Sequence, residues 1–306
     1  MDLNNLIKGI DIKQKGENKA LDRYLENSIE NSNKKKEKLE NLENLLFRFP
    51  EIVNDRTSPS ELGEDGIENY YNWVYKNIND FDIDIKNLDI LDKKDLPVYD
   101  VIKDDYETNK KFGLFLSALI NKNIKNGEEI QLNLPIPVNC LFYELENAKA
   151  HVNIAGYDLG FCAKNSKIYA DEAGMYAGSY MEECELRVKI AGNCLGDGAK
   201  NSKIYTEKTE NFAGSYTRGC ELHIGIASKS LGYKARDSKI YAEEAENCAG
   251  SSMKDSELYI YKLEGKLDES CLTGNNKVYL GKESYKKFPE YRRKVKIWKE
   301  KTLERY

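Results

Sequence analysis

The heptapeptide Ala163-Lys-Asn-Ser-Lys-Ile-Tyr169 occurs three times in the chain with little change. It returns at equal intervals as Ala199-Lys-Asn-Ser-Lys-Ile-Tyr205 and as Ala235-Arg-Asp-Ser-Lys-Ile-Tyr241. The interval is 36 residues, and half of it, 18 residues, is also a period of the sequence. Glycine recurs with this shorter period as Gly160, Gly178, Gly196, Gly214, Gly232 and Gly250. A short strict period is typical of a solenoid, in which each turn of chain buries its apolar side by stacking on its neighbours.

Aligning the chain on this period defines seven coils, which begin at Ala148, Ser166, Cys184, Ser202, Cys220, Ser238 and Ser256. Apolar or small residues stand two, four and seven places into each coil, and again just before the recurring glycine. The alternation with period two predicts a strand on one side of every coil. Where it breaks we expect corners, at which glycine supplies backbone angles that other residues resist. The unequal intervals differ from a left-handed hexapeptide repeat, so they predict a right-handed parallel β-helix.

Glycine-punctuated stretches such as Ile190-Ala-Gly-Asn-Cys-Leu-Gly-Asp-Gly198 and Phe212-Ala-Gly-Ser-Tyr216 give this region a family resemblance. Residues 131–281 resemble the GXGXG right-handed β-helix found in the large subunit of glutamate synthase and in one subunit of formylmethanofuran dehydrogenase. In those families the domain is a structural and interdomain element, so the resemblance implies an architectural role and no catalytic residue. The chain departs from the pattern where Glu210, Ser228, Glu246 and Glu264 replace a second glycine column.

Outside the repeat the sequence predicts an α+β protein with three parts. Residues 1–127 form a mostly helical domain that covers the first coil, with helical spacing over 16–49, 67–78 and 104–125, the last ended by Asn126-Gly127. Residues 128–282 form the parallel β-helix of about seven coils, and 129–134 alternate like its first strand. Residues 283–306 form a basic amphipathic C-terminal helix whose aromatic stripe caps the last coil.

Composition limits the partners and the compartment. The 306 residues carry a net charge of −5, which argues against nucleic acid as the default partner of the whole molecule. The first residues show no signal-peptide pattern, and the longest apolar run, 112–120, is too short to span a bilayer. The seven cysteines form no Cys-x-x-Cys pair, and Cys184 and Cys220 lie too far apart for a disulfide. These features indicate a soluble cytoplasmic protein without a membrane partner.

The chain contains none of the common catalytic, cofactor-binding or metal-binding motifs. We therefore expect no catalytic residue, no cofactor and no metal. Asp82 and Asp84 share one face of a predicted strand and are interpreted as a solvated edge. The acids in one outward column lie two coils apart, about 9.6 Å, which is too far to share a calcium ion; they are Asp171, Glu207 and Glu243.

One outward column, three places into each coil, is a candidate interaction surface, and its members are His151, Tyr169, Arg187, Tyr205, His223, Tyr241 and Tyr259. The favoured interpretation is that these side chains stack on one another and are covered by the helical domain or the C-terminal helix. The alternative is an aromatic strip for a partner protein, a glycan or single-stranded nucleic acid. The tail adds outward-facing cations at Arg292, Arg293 and Lys296, which could bind RNA or an acidic partner.

Two classes of function fit this sequence. The first is a non-catalytic scaffold or assembly subunit whose partners are other protein subunits. The second is a β-helix enzyme that acts on a carbohydrate polymer along the rod, which would need acids clustered on adjacent coils. Nucleic-acid binding through the basic tail and the Tyr/His/Arg column is a weaker third possibility.

Overall fold

A computed structural model describes residues 66–77, 88, 91–92 and 96–298. Its centre is a parallel ten-stranded sheet in which the strands follow one another in chain order. The strands are β1 (Glu129–Leu132), β2 (Lys149–Ala155), β3 (Lys167–Ala173), β4 (Glu185–Ala191), β5 (Lys203–Thr209), β6 (Glu221–Ala227), β7 (Lys239–Ala245), β8 (Glu257–Leu263), β9 (Lys277–Gly281) and β10 (Lys296–Trp298). This is a β-solenoid of about nine turns, which confirms the predicted fold class. Its right-handedness stays a prediction.

The register of the strands is the one that the repeat predicts. Lys167 of β3 pairs with Glu185 of β4, which pairs with Lys203 of β5, so each step equals the period of the sequence. The predicted inward positions are buried in every coil; Ile168, Leu186 and Ile204, for example, have no exposed surface. The core is therefore a set of straight columns in which each side chain rests on its equivalents above and below.

The turn side of each coil is also held to its neighbours by backbone hydrogen bonds. The Gly196 N–H donates to the carbonyl of Ala177 in the preceding coil at 2.8 Å, and the Cys194 N–H donates to the carbonyl of Asn211 in the following coil at 2.9 Å. The six corner glycines have φ between 65° and 77°, as the sequence predicts. Non-glycine residues share this left-handed geometry, among them Tyr176 and Phe212 at 63°. Such backbone strain persists only where the surroundings enforce it, and here the adjacent coils do.

The two end turns are irregular, and the seven predicted coils undercount the solenoid. Glu129 pairs with Lys149 and Glu257 pairs with Lys277, so the steps from β1 to β2 and from β8 to β9 are each longer than the period. The longer spacing hides β9 from an alignment on that period. The last strand, β10, pairs in parallel with β9 and comes from the tail.

Three described helices precede the solenoid: α1 (Gly66–Asn77), α2 (Pro97–Ile102) and α3 (Tyr106–Asn123). Helix α3 lies across the first turn, where Ser117 Oγ donates to the Cys140 carbonyl at 2.9 Å and Asn121 Nδ2 donates to the Tyr143 carbonyl at 2.9 Å. Gly113 allows this close approach, because a Cβ atom there would overlap the Asn139 carbonyl oxygen. The prediction that helices cover the first coil is confirmed for α3. The helix predicted within residues 16–49 lies outside the described residues.

The described part of the tail begins with a short helix, as predicted, but it is not helical throughout, so the predicted extent of that helix is wrong. Helix α4 (Lys282–Lys287) ends just before Pro289, which has no N–H to continue it, and a single 3₁₀ turn follows at Pro289–Tyr291. The chain then extends into β10, because the edge of β9 offers backbone partners and residues 295–297 include Val and Ile. The predicted capping role is confirmed for Tyr291 and Val295, which are buried against the core.

Candidate interaction surface

The column predicted as an interaction surface forms a continuous ladder on the strand side of the solenoid. We use the term ladder for its eight in-register members, which are His151, Tyr169, Arg187, Tyr205, His223, Tyr241, Tyr259 and Tyr279. Tyr279 is missing from the sequence prediction because the longer last step displaces it. Its signal is present all the same, since Lys277-Val-Tyr-Leu repeats the pattern of Glu257-Leu-Tyr-Ile.

The planar groups of the ladder stack closely. The His151 and Tyr169 ring centroids are 4.4 Å apart at an interplanar angle of 10°, and those of Tyr259 and Tyr279 are 4.4 Å apart at 4°. The Arg187 guanidinium carbon lies 4.0 Å from the Tyr205 centroid. These spacings are close to the strand separation of about 4.8 Å, so the sheet itself sets the stacking distance.

Exposure varies along the ladder. Tyr205 and His223 in the middle are only 3% and 8% exposed, whereas the other members are half-buried. His223 Nε2 lies 2.9 Å from Glu221 Oε1, while its buried Nδ1 has no hydrogen-bond partner among the described residues. The two ends of the ladder therefore present more ring edge to their surroundings than its centre does.

A charged column beside the ladder holds its polar edges in place. Glu185 accepts from Arg187 Nε at 2.7 Å and lies 3.3 Å from Lys167 Nζ. Glu257 accepts from Tyr259 Oη at 2.6 Å and from Lys277 Nζ at 2.7 Å. The hydrogen bonds from Lys277 and Tyr259 hold the pKa of Glu257 below its ordinary value. The charges of this column alternate in sign from coil to coil, and these two glutamates form inter-coil ion pairs.

The chain docks one of its own aromatic residues on the ladder. The centroid of the Trp298 ring, at the end of β10, lies 5.7 Å from the Tyr259 centroid and 6.3 Å from that of Tyr241, and Tyr261 beside the ladder is 6.4 Å away. The predicted intramolecular cover is therefore present at this end, although a strand residue provides it. The sequence gives no periodic signal for this contact.

The three tail cations occupy different environments. Arg292 folds back on the tail and donates to the carbonyls of Lys286 at 3.0 Å and Tyr285 at 3.3 Å. Arg293 is exposed. Lys296 pairs with Tyr279 in the sheet register and places its ammonium group 5.9 Å from that ring. Of the three, Lys296 is the one that joins the ladder.

Acidic residues do not assemble into a site in the described part of the chain. Asp171 forms an ion pair with Lys189 on the next coil. Within the described residues, no group of three or more His, Cys, Asp and Glu side chains could hold a metal ion. Asp82 and Asp84 lie outside the described residues.

An open cleft of about 700 Å³ separates the start of α3 from the solenoid. Its apolar walls are missing from the sequence prediction and include Ile102, Tyr106, Ile136, Ile154, Tyr157 and Ile190. The second glycine column forms its floor, and a Cβ atom on Gly174 would come within 2.9 Å of the Gly156 backbone. The missing side chains thus allow close stacking of the coils beneath the cleft.

Comparison with known proteins gave no match to any protein family, curated protein or solved structure. None of the helices that the structure describes combines the length and the apolar character of a membrane-spanning segment.

Proposed function

We propose that this protein is a non-catalytic scaffold that binds other proteins through the strand face of its β-solenoid. The ladder is the contact surface in this proposal. The observation that carries it is the packing of Trp298 against Tyr241, Tyr259 and Tyr261. That contact indicates which kind of group this surface accepts, namely an aromatic side chain delivered by an extended segment.

The physical character of the face supports this role. Backbone hydrogen bonds join successive coils on both the strand side and the turn side, so the ladder is held rigidly before any partner arrives. A preorganised surface loses little conformational freedom on binding, which favours affinity. Tyrosine and arginine are also among the residue types that dominate binding energy at protein interfaces. Tyr169 and Arg187, half-buried and away from Trp298, form the free binding region in this proposal.

The resemblance to the GXGXG β-helix supports the same proposal, because that domain is architectural in the proteins that contain it. We further propose a cytoplasmic location. All seven cysteines fall in the described part of the chain and are free thiols, as is usual in a reducing compartment.

Comparative affinity purification from the native cell tests this function. We expect a defined set of proteins to co-purify with the wild-type chain and to be lost from the double variant Tyr169→Ser, Arg187→Ser. The control is Lys164→Ser, Glu182→Ser, which alters a bridged pair outside the ladder. A partner so identified should then bind the purified wild-type chain directly. Equal recovery with both variants would contradict the ladder as the binding surface.

A separate experiment tests the alternative function, an enzyme that acts on a polysaccharide. Asp171 is paired with Lys189 on the next coil, so the acids of this column do not lie on adjacent coils as a carbohydrate-cleaving site would need. We expect no hydrolase or lyase turnover with or without calcium. Reproducible turnover that disappears in Asp171→Ala or Glu207→Ala would overturn the scaffold proposal.

A further inference from the structure

A second column of the solenoid carries four cations in succession. Lys200, Arg218, Arg236 and Lys254 are joined from coil to coil by parallel β-bridges, and all four are exposed. We call them the basic column. At the inter-strand spacing of about 4.8 Å, its backbone positions extend over about 14 Å along the rod. Like charges at directly opposed positions are unfavourable in a sheet, so this arrangement opposes folding rather than aiding it.

The adjacent charged column shows how the same rod avoids that repulsion elsewhere. There Lys203, Glu221, Lys239 and Glu257, each three residues after a member of the basic column, alternate in sign. Within the described residues, no member of the basic column forms an ion pair with an acid. Asp237 and Asp255 follow it at the corner, but Asp255 instead accepts from Asn275 Nδ2 at 2.8 Å. The basic column therefore carries an excess of positive charge on an acidic protein, and the acid bridged to one of its members is Glu182, which opposes Lys200 on the preceding coil.

Exposed aromatic rings border the basic column. Tyr216 points outward two residues before Arg218 and is 52% exposed, while the intervening Thr217 is buried. Its ring meets Tyr233 edge-on at 5.5 Å, and Lys234 Nζ lies 5.0 Å from both centroids. Phe212 is 42% exposed and lies 6.2 Å from Tyr233. A row of cations thus runs beside a fixed cluster of open ring surfaces.

We infer that this face binds single-stranded nucleic acid, with phosphates along the basic column and bases on Tyr216 and Phe212. A cationic track beside stacking rings is the arrangement by which proteins bind single strands without reading sequence. Other polyanions would use the cations but would leave the rings without a partner. This face is separate from the ladder and from the tail cations, so the inference goes beyond the scaffold function.

Fluorescence anisotropy with labelled dT12 and the full-length protein tests whether the basic column binds phosphates. If all four cations contact phosphates, affinity should fall about 50-fold between roughly 50 and 200 mM salt, since each contact adds about 0.7 to the logarithmic slope. The variant Arg218→Ser, Arg236→Ser should reduce that slope by about 1.4. The control Lys203→Ser, Lys239→Ser removes equal charge from the alternating column and should leave the slope unchanged. Equal slopes in the two variants, or no binding to dT12, would overturn the inference.

A second pair of variants tests whether bases stack on the exposed rings, and it distinguishes nucleic acid from other polyanions. Tyr216→Ala should weaken dT12 binding about 5- to 150-fold, the range for loss of one stacked base, and Tyr216→Phe should restore it. Heparin binding should be unchanged in both variants, because a sulfated polysaccharide offers no base to stack. Unchanged dT12 affinity in Tyr216→Ala would reduce the site to an electrostatic one and overturn the inference. Binding of poly-glutamate as tight as that of dT12 would overturn it in favour of an acidic protein partner.

Discussion

Coils of uniform length fill the centre of the solenoid from β2 to β8, whereas the turns at its two ends are longer, with Glu129 paired to Lys149 and Glu257 to Lys277. In the centre, every coil lies between two others and hydrogen-bonds to both, on its strand side and on its turn side. An added residue there would leave donors and acceptors unmatched in both directions. At the ends, one neighbour is missing, and α3 or the tail takes its place. The uniform length of the central coils is thus a consequence of each coil having a neighbouring coil on both sides.

The sharpest test of the end turns is removal of the tail. Deleting residues 285–306 takes away β10 and the buried side chains of Tyr291 and Val295. We expect a loss of at least about 3 kcal/mol in the free energy of unfolding, from the burial of these two side chains. The exposed edge of β9 should also drive self-association, because an unpaired strand is a template for another chain.

Light scattering and thermal denaturation measure both effects of the deletion. Deleting only residues 299–306 provides the control, since it keeps β10 and Trp298 in place. A monomeric 285–306 deletion with an unchanged melting temperature would show that β10 does not protect the end of the solenoid.

A glycine in the centre of the solenoid and one in its last turn have different surroundings. Gly196 and Gly274 have φ of 69° and 66°, but a Cβ atom on Gly196 would overlap Cδ1 of Ile204, whereas nothing lies within 4 Å of one on Gly274. Gly196→Val should therefore cost roughly 2–6 kcal/mol from strain and overpacking together. Gly274→Val should cost only the backbone strain, roughly 1–3 kcal/mol. Equal losses in denaturant unfolding would refute the role of coil stacking.

The difference between the central coils and the end turns also determines which features could be predicted from the sequence. The columns of the central coils follow from their period, and the alternation within each coil places positions such as Ile204 and Tyr205 on opposite faces of a strand. The ladder was predictable for the same reason. The contact of Trp298 with Tyr259 was not, because it joins a non-repeating segment to the repeat. The tail was predicted as a helix because its apolar spacing fits one. In the structure Pro289 ends that helix, and the free edge of β9 then pairs with the tail as a strand.

A smaller effect is expected for the aromatic contact that joins the end turn to the central coils. Trp298→Ala removes ring contacts with Tyr241, Tyr259 and Tyr261. It should cost roughly 1–2 kcal/mol, since aromatic pairs contribute about 0.5–1.5 kcal/mol each and are not fully additive. Ile297→Ala is the matched control, because Ile297 is its neighbour in β10 and is 43% exposed. Equal destabilisation of the two variants in denaturant unfolding would mean that Trp298 gains nothing from the ladder.

The smallest effect concerns the ion pair between Glu257 in the last regular coil and Lys277 in the end turn. The hydrogen bonds from Lys277 and Tyr259 lower the pKa of Glu257 from its ordinary 4.5 in the folded state. The pair therefore contributes stability above the unfolded pKa and loses it as pH falls through the lower folded pKa. Because the pair is partly exposed, we expect less than about 1 kcal/mol.

Urea titrations across pH measure this contribution. The stability difference between wild type and Glu257→Gln should be largest near neutral pH and shrink as pH falls through the lowered pKa of Glu257, because the carboxylate then becomes protonated in the folded state as well as in the unfolded state. Glu246→Gln, at an exposed position, is the control and should show no such trend. A difference for Glu257→Gln that stays constant with pH would show that this carboxylate does not link the two regions.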